Sequence, residues 1–237
     1  MERESMRKIL LVSSSRVHGT GYLDHCEAEM RRLFDGVGRV LFVPFAQVDT
    51  DGYEKLAAER FEALGLELTS VHREADPAAA VAKGEAVFIG GGNTFLLLAR
   101  MIEHGLMGPL ARRVAEGMPY MGTSAGSNVA GASIMTTNDM PIIYPPTFDA
   151  LGLVPFNLNP HYLDPDPDSQ HMGETRETRI REFHQLNDTL VVGIREGSMV
   201  RVEGDQAELI GAPGGKLFRR GKPPEERAAG DVSEILC

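Results

Sequence analysis

Short apolar runs alternate with amphipathic stretches along the first half of this chain, and that alternation narrows the fold more than any other feature. "KILLVSSS" (8–15), "RVLFVPFA" (39–46), "LELTSVH" (66–72) and "AVFIGGG" (86–92) have the pattern of strands buried on both faces. Helical stretches lie between and after them: Tyr22–Phe34, 52–65 with Gly65 at its end, a short helix opened by Asp76-Pro77, and 93–106. Helix Pro109–Glu116 then leads to a short strand, Pro119–Gly122, and a helix of small residues. Repeated strand–helix–strand units predict an α/β fold of three layers, a mostly parallel sheet flanked by helices.

After Ala132 the pattern loosens into a segment rich in Pro and Asp. A helix is expected from about Glu174 to Leu186, then a strand in "LVVGIRE" (190–196). "MVRVEGDQAELIG" and "KLFRR" read as antiparallel edge strands, and the polar tail from Gly221 is expected to fray. Neither an internal repeat nor a linker interrupts the chain, so 1–237 is read as one domain.

Composition excludes several function classes. A formal net charge of -10 argues against general nucleic-acid affinity, so an acidic substrate would need a local cation. Cys26 and Cys237 form no disulfide framework, which makes a reducing cytoplasm the default. The run Ile9–Val12 is far too short for a signal-peptide core, and no segment approaches a membrane span. Cys/His metal spacing and a His-Glu-x-x-His motif are both missing, so a metal-bound base is disfavoured.

In an open parallel sheet, ligands sit beyond the carboxyl ends of the strands, and three notable stretches fall there. "GTSAG" places Ser124 between Gly122 and Gly126, the Gly-x-Ser-x-Gly pattern of a strand-to-helix turn that exposes a nucleophilic hydroxyl. The Ala125 N–H would then be an oxyanion donor. "IGGGNTF" offers Gly92 N–H as a second donor and Asn93 as the N-cap of the next helix. It has neither spacing of a phosphate-binding loop. "FNLNPHYLD" puts His161 at the end of a short apolar segment, where it can serve as the base that a hydroxyl nucleophile requires.

Together these residues resemble the peptidase E family of serine peptidases, the α-aspartyl dipeptidases. "FIGGGNTFLLL", "GTSAGSN", "TTNDMPI", "NPH", "GETRETRIRE" and "REGS" carry the likeness, within segments running from residue 9 to about 198. The resemblance implies a fold like the class I glutamine amidotransferases (flavodoxin-like), with Ser in place of their nucleophilic Cys. It implies hydrolysis of dipeptides that begin with an α-linked aspartate, with Ser124 as nucleophile and His161 as base. Glu196 is expected to orient the imidazole and stabilise the imidazolium. Asp139, in "TTNDMP", is expected within the site, linked with the charge relay or the substrate end. Arg176 is expected to share a helix face with Ile180 and Phe183 and to grip the substrate's aspartyl carboxylate through paired hydrogen bonds. Asn93 joins it in the expected substrate-binding set.

The resemblance implies no metal and no cofactor, and a small dipeptide as the partner, with homodimer formation left open. Three rival readings exist. A cyanophycinase-like peptidase has a similar elbow, but this chain is short for one. An ordinary α/β-hydrolase expects a late His after its acid, whereas the last His here is His184. A catalytically silent binding protein on the same scaffold would have no reason to retain Ser124, His161 and Glu196 together.

Overall fold

Successive residues of β1 (Lys8–Val12) enter opposite cores: Ile9 and Leu11 join one buried cluster, Leu10 and Val12 another. The same division holds in β2 (Arg39–Val43) and β4 (Ala86–Ile89), where Leu41, Val43, Val87 and Ile89 oppose Val40, Phe42, Ala86 and Phe88. Side chains alternate across a pleated strand, so a sheet covered on both faces demands unbroken apolar runs. Helices α1 (Glu27–Leu33) and α2 (Thr50–Ala63) close the second cluster through Met30, Ala57 and Phe61. The first is closed by α3 (Pro77–Lys83), α4 (Thr94–Glu103) and α5 (Met107–Ala115), through Val81, Leu97, Met101, Leu110 and Val114. The computed structural model describes residues 7–166, 168, 170 and 172–237.

The remaining elements are β3 (Glu67–Ser70), β5 (Tyr120–Thr123), α6 (Ala125–Asn128), β6 (Asn157–Pro160), α7 (Arg176–Leu186), β7 (Val191–Ile194), β8 (Met199–Glu203), β9 (Gln206–Ile210), β10 (Gly215–Phe218), β11 (Glu225–Arg227) and β12 (Gly230–Asp231). An eight-stranded sheet runs β12-β9-β8-β1-β5-β4-β2-β3. Its strands from β1 to β3 are parallel, while β8, β9 and β12 continue it antiparallel. A four-stranded sheet, β11-β10-β7-β6, contains the parallel pair β6–β7. Leu158, Val192 and Leu217 of this second sheet lie in the same buried cluster as Ile9 and Leu11.

Two expectations from sequence need correction. The segment "MVRVEGDQAELIG" is not an edge pair, because β8 lies between β1 and β9 and "KLFRR" belongs to the second sheet. Nor is the tail loose. β11 pairs with β10, β12 pairs with β9, and Val232 and Ile235 are buried in the first cluster. Backbone pairing and two apolar anchors hold a segment whose composition is polar.

Candidate active site

The elbow is built by close backbone approach. Ser124 follows β5 at φ 49°, ψ -108°, a sparsely populated conformation for a residue with a side chain. A Cβ at Gly122 would overlap the Gly126 carbonyl, and one at Gly126 would overlap the Ile89 carbonyl, so both positions admit only glycine. The turn is pinned to β1: Ser124 N–H donates to the Val12 carbonyl at 3.0 Å, and the Ser127 hydroxyl reaches the same oxygen at 2.8 Å.

His161 follows β6 directly, and it too has a left-handed backbone, φ 53°. Among the described residues, the non-glycine positions with positive φ are Leu23, Ser124 and His161. Glu196 lies just beyond β7, in a turn closed by Ser198 N–H donating to the Arg195 carbonyl at 3.0 Å. Gly197 supplies the positive φ of 83° that a type II turn needs at its third position.

These turns bring the three side chains into line. His161 Nε2 is 3.1 Å from Ser124 Oγ, and Nδ1 is 2.7 Å from Glu196 Oε1. With its proton on Nδ1, the imidazole donates to Glu196 and accepts the serine hydroxyl proton at Nε2. The line is open to solvent, with His161 and Glu196 side chains 41% and 55% exposed.

Ala125 directly follows Ser124, and Gly92 follows Gly91 in the loop packed against it. Among the described residues, neither N–H donates within the protein. Gly92 has φ 143°, and a Cβ there would overlap the Ala46 carbonyl. A Cβ on the neighbouring Gly91 would come 3.1 Å from Ser124 Cβ, which shows how close this loop lies to Ser124.

The other candidates divide. Among the described residues, Asp139 forms neither a hydrogen bond nor an ion pair with His161. Its Oδ2 accepts the Thr94 N–H at 2.7 Å and the Thr94 hydroxyl at 2.6 Å, capping α4. Asn93 is a cap and an anchor: Oδ1 accepts Leu96 N–H at 3.0 Å, and Nδ2 donates to the Met140 carbonyl at 2.8 Å. Both polar ends of the side chain expected to meet substrate are thereby engaged inside the protein. Arg176 opens α7 and lines a cavity of about 440 Å³ with Leu163, Asp164, Glu174 and Arg179. Among the described residues its guanidinium has no ion pair, although Glu174 and Glu177 are near in sequence. Desolvation pulls its pKa below the usual arginine value, Arg179 adds to that, and the charge of Asp139 opposes both.

Sequence reading missed the residues that hold the segments together. Asn138 Nδ2 donates to the Pro160 carbonyl at 2.9 Å, and Thr136 Oγ1 donates to the Leu158 carbonyl at 2.8 Å, so "TTND" ties β6 to the cap of α4. Ser13, in "KILLVSSS", is another such residue, and its Oγ accepts His161 N–H at 2.9 Å.

Comparison with known proteins agrees with this architecture. The chain is 50% identical to a peptidase E of Streptomyces coelicolor over 96% of its length and 94% of the relative's. It is 47% identical to a Drosophila melanogaster protein named "Probable alpha-aspartyl dipeptidase", over 94% of this chain and 95% of that one. A crystal structure of a peptidase from an acI-B1 actinobacterium shares the fold, with a TM-score of 0.71, 17% identity and 97% coverage of each chain. The model of peptidase family S51 matches residues 9–210. With a serine elbow, a His–Glu pair beside it and relatives this similar across nearly the whole length, the chain belongs to peptidase family S51.

Proposed function

We propose that this chain is a serine-type dipeptidase that hydrolyses Asp-Xaa dipeptides through an acyl-enzyme. The observation that carries the reading is the Ser124–His161–Glu196 line, at 3.1 and 2.7 Å. The names of the relatives support the substrate class. His161 takes the hydroxyl proton as Ser124 Oγ attacks the peptide carbonyl, and the N–H groups of Gly92 and Ala125 receive the oxyanion. His161 then protonates the leaving amine as the C–N bond breaks. Water, deprotonated by His161, cleaves the aspartyl ester and restores the serine.

Arg176 supplies the local cation that an acidic substrate needs against the chain's overall charge, and its planar fork suits a carboxylate. The cyanophycinase-like alternative is not favoured. A silent binding protein would not need two adjacent site residues held in unfavourable backbone conformations. A cytoplasmic location is supported by the free thiols of Cys26 and Cys237. No helix among the described residues is long and apolar enough to cross a membrane.

The test is hydrolysis of Asp-Leu beside Asn-Leu, Glu-Leu and Leu-Leu by wild type and Ser124→Ala. Turnover confined to Asp-Leu and abolished by the substitution supports the reading. Asp-Leu left intact by wild type, or cleaved as fast by Ser124→Ala, defeats it.

A further inference from the structure

The end of β1 lies among all three site segments, and one hydroxyl there joins two of them. Ser13 is fully buried. Its Oγ accepts His161 N–H at 2.9 Å and donates to the Ile194 carbonyl at 2.8 Å. Its own N–H donates to the Ser198 carbonyl at 3.1 Å. Ile194 and Ser198 bracket the turn that carries Glu196. A single residue therefore touches the backbone of the base and both flanks of the acid.

His161 needs such a hold. A non-glycine residue in a sparsely populated backbone region is strained and persists only where its surroundings over-determine it. Three hydrogen bonds do so here: Ser13 at the His161 N–H, Asn138 at the Pro160 carbonyl, and Tyr162 N–H on the Ile194 carbonyl at 3.0 Å. Tyr162 fixes the residue after the base and Asn138 the one before it. Ser13 fixes the base itself and ties it to the acid's strand. The Ile194 carbonyl already accepts from Tyr162, so the Ser13 hydroxyl is its second donor and the acceptor of the His161 N–H. The imidazole must meet Ser124 and Glu196 at once.

We propose that Ser13 is a positioning residue for the His161–Glu196 pair, its hydroxyl fixing the backbone from which the imidazole projects. This rests on the reading of His161 as the general base. Ser13→Ala leaves Ser124, Gly92, Ala125 and Arg176 in place and removes one oxygen.

The experiment compares wild type and Ser13→Ala by three readouts: Asp-Leu kinetics, the rate at which a fluorophosphonate labels Ser124, and inhibition by aspartate. Displacing a reacting group by about an ångström costs on the order of 100-fold. The expected result is a kcat lowered roughly 10- to 100-fold, labelling slowed in proportion, and KM and the aspartate inhibition constant changed less than about twofold. Unchanged kcat and labelling would overturn the proposal. So would a loss of rate matched by an equal loss of aspartate affinity, the mark of general disruption. Should Ser13→Ala fail to fold, Ser13→Cys keeps the volume with a weak hydrogen-bonding group and is judged by the same split. A wild type that labels but leaves Asp-Leu intact overturns the dipeptidase reading alone, and labelling still decides Ser13. A wild type that does not label overturns both.

Discussion

His161 Nδ1 and Glu196 Oε1 stand 2.7 Å apart because the strands that deliver them are parallel and in register, Pro160 opposite Ile194. Asp139, the other carboxylate the sequence offered, holds Thr94 instead. Glu196→Gln is therefore expected to lower kcat by roughly 10²- to 10⁴-fold and to move the His161 imidazole resonances. Asp139→Ala removes a helix cap and is expected to lower stability by about 0.5–2 kcal/mol without moving those resonances. Nuclear magnetic resonance of the imidazole, read beside thermal melting, separates the two. Imidazole shifts following Asp139 rather than Glu196 would reverse the assignment.

Arg176 has a guanidinium without an ion pair among the described residues, next to Arg179 and within electrostatic reach of Asp139. Arg176→Ala is expected to reduce kcat/KM for Asp-Leu by about 2–5 kcal/mol and to leave Ser124 labelling nearly unchanged. Arg176→Lys should recover little, because a point charge does not replace a planar fork. Normal Asp-Leu turnover by Arg176→Ala would remove it from the substrate site.

Gly92 combines a φ of 143° with contact against the Ala46 carbonyl. Gly92→Ala must displace the loop, and with it the N–H proposed to receive the oxyanion. The expected loss in kcat is on the order of 10²- to 10³-fold, with aspartate inhibition largely kept. Wild-type kcat in a folded Gly92→Ala protein would assign the oxyanion to other donors.

The ordered tail supports the acid's strand. Glu226 of β11 forms a paired salt bridge with Arg195, the residue before Glu196, with contacts of 2.5 and 2.9 Å. Hydrogen bonds from Arg195 hold the Glu226 and Asp164 carboxyls below their ordinary pKa. A depressed carboxylate adds stability above its unfolded pKa and loses it as pH falls through the folded value. Glu226→Gln should therefore melt lower than wild type at pH 7, by no more than about 1 kcal/mol since the pair is partly solvated. The gap should close as pH drops through and below the ordinary carboxylate range, roughly 4. Scanning calorimetry across that window checks it, and a gap that widens in acid would refute the linkage.

The parallel strands and the elbow were legible because their signals are local: apolar runs of strand length, and glycines placed around one serine. What was hidden depends on distant partners. Ser13 and His161 are 148 positions apart, and nothing in "VSSS" announces the bond between them. β6, "NLNP", carries two buried asparagines, whose amides bond to Ser133 and to Thr136. The strand end at His161 was anticipated, but these two partners of its asparagines were not. The tail read as loose because β11 is charged and short, and its order comes from pairing with β10. Arg176 was placed in the first turn of the right helix, but the cavity it lines became visible only in three dimensions.

The uncomfortable backbones at Ser124 and His161 set thermal robustness against chemistry. Glycine tolerates either conformation and would relieve up to about 1 kcal/mol at each position, partly offset by the entropy of the freer chain. A descendant of this protein released from selection for hydrolysis would thus have an easy downhill route, gaining heat resistance as it discards the nucleophile and the base.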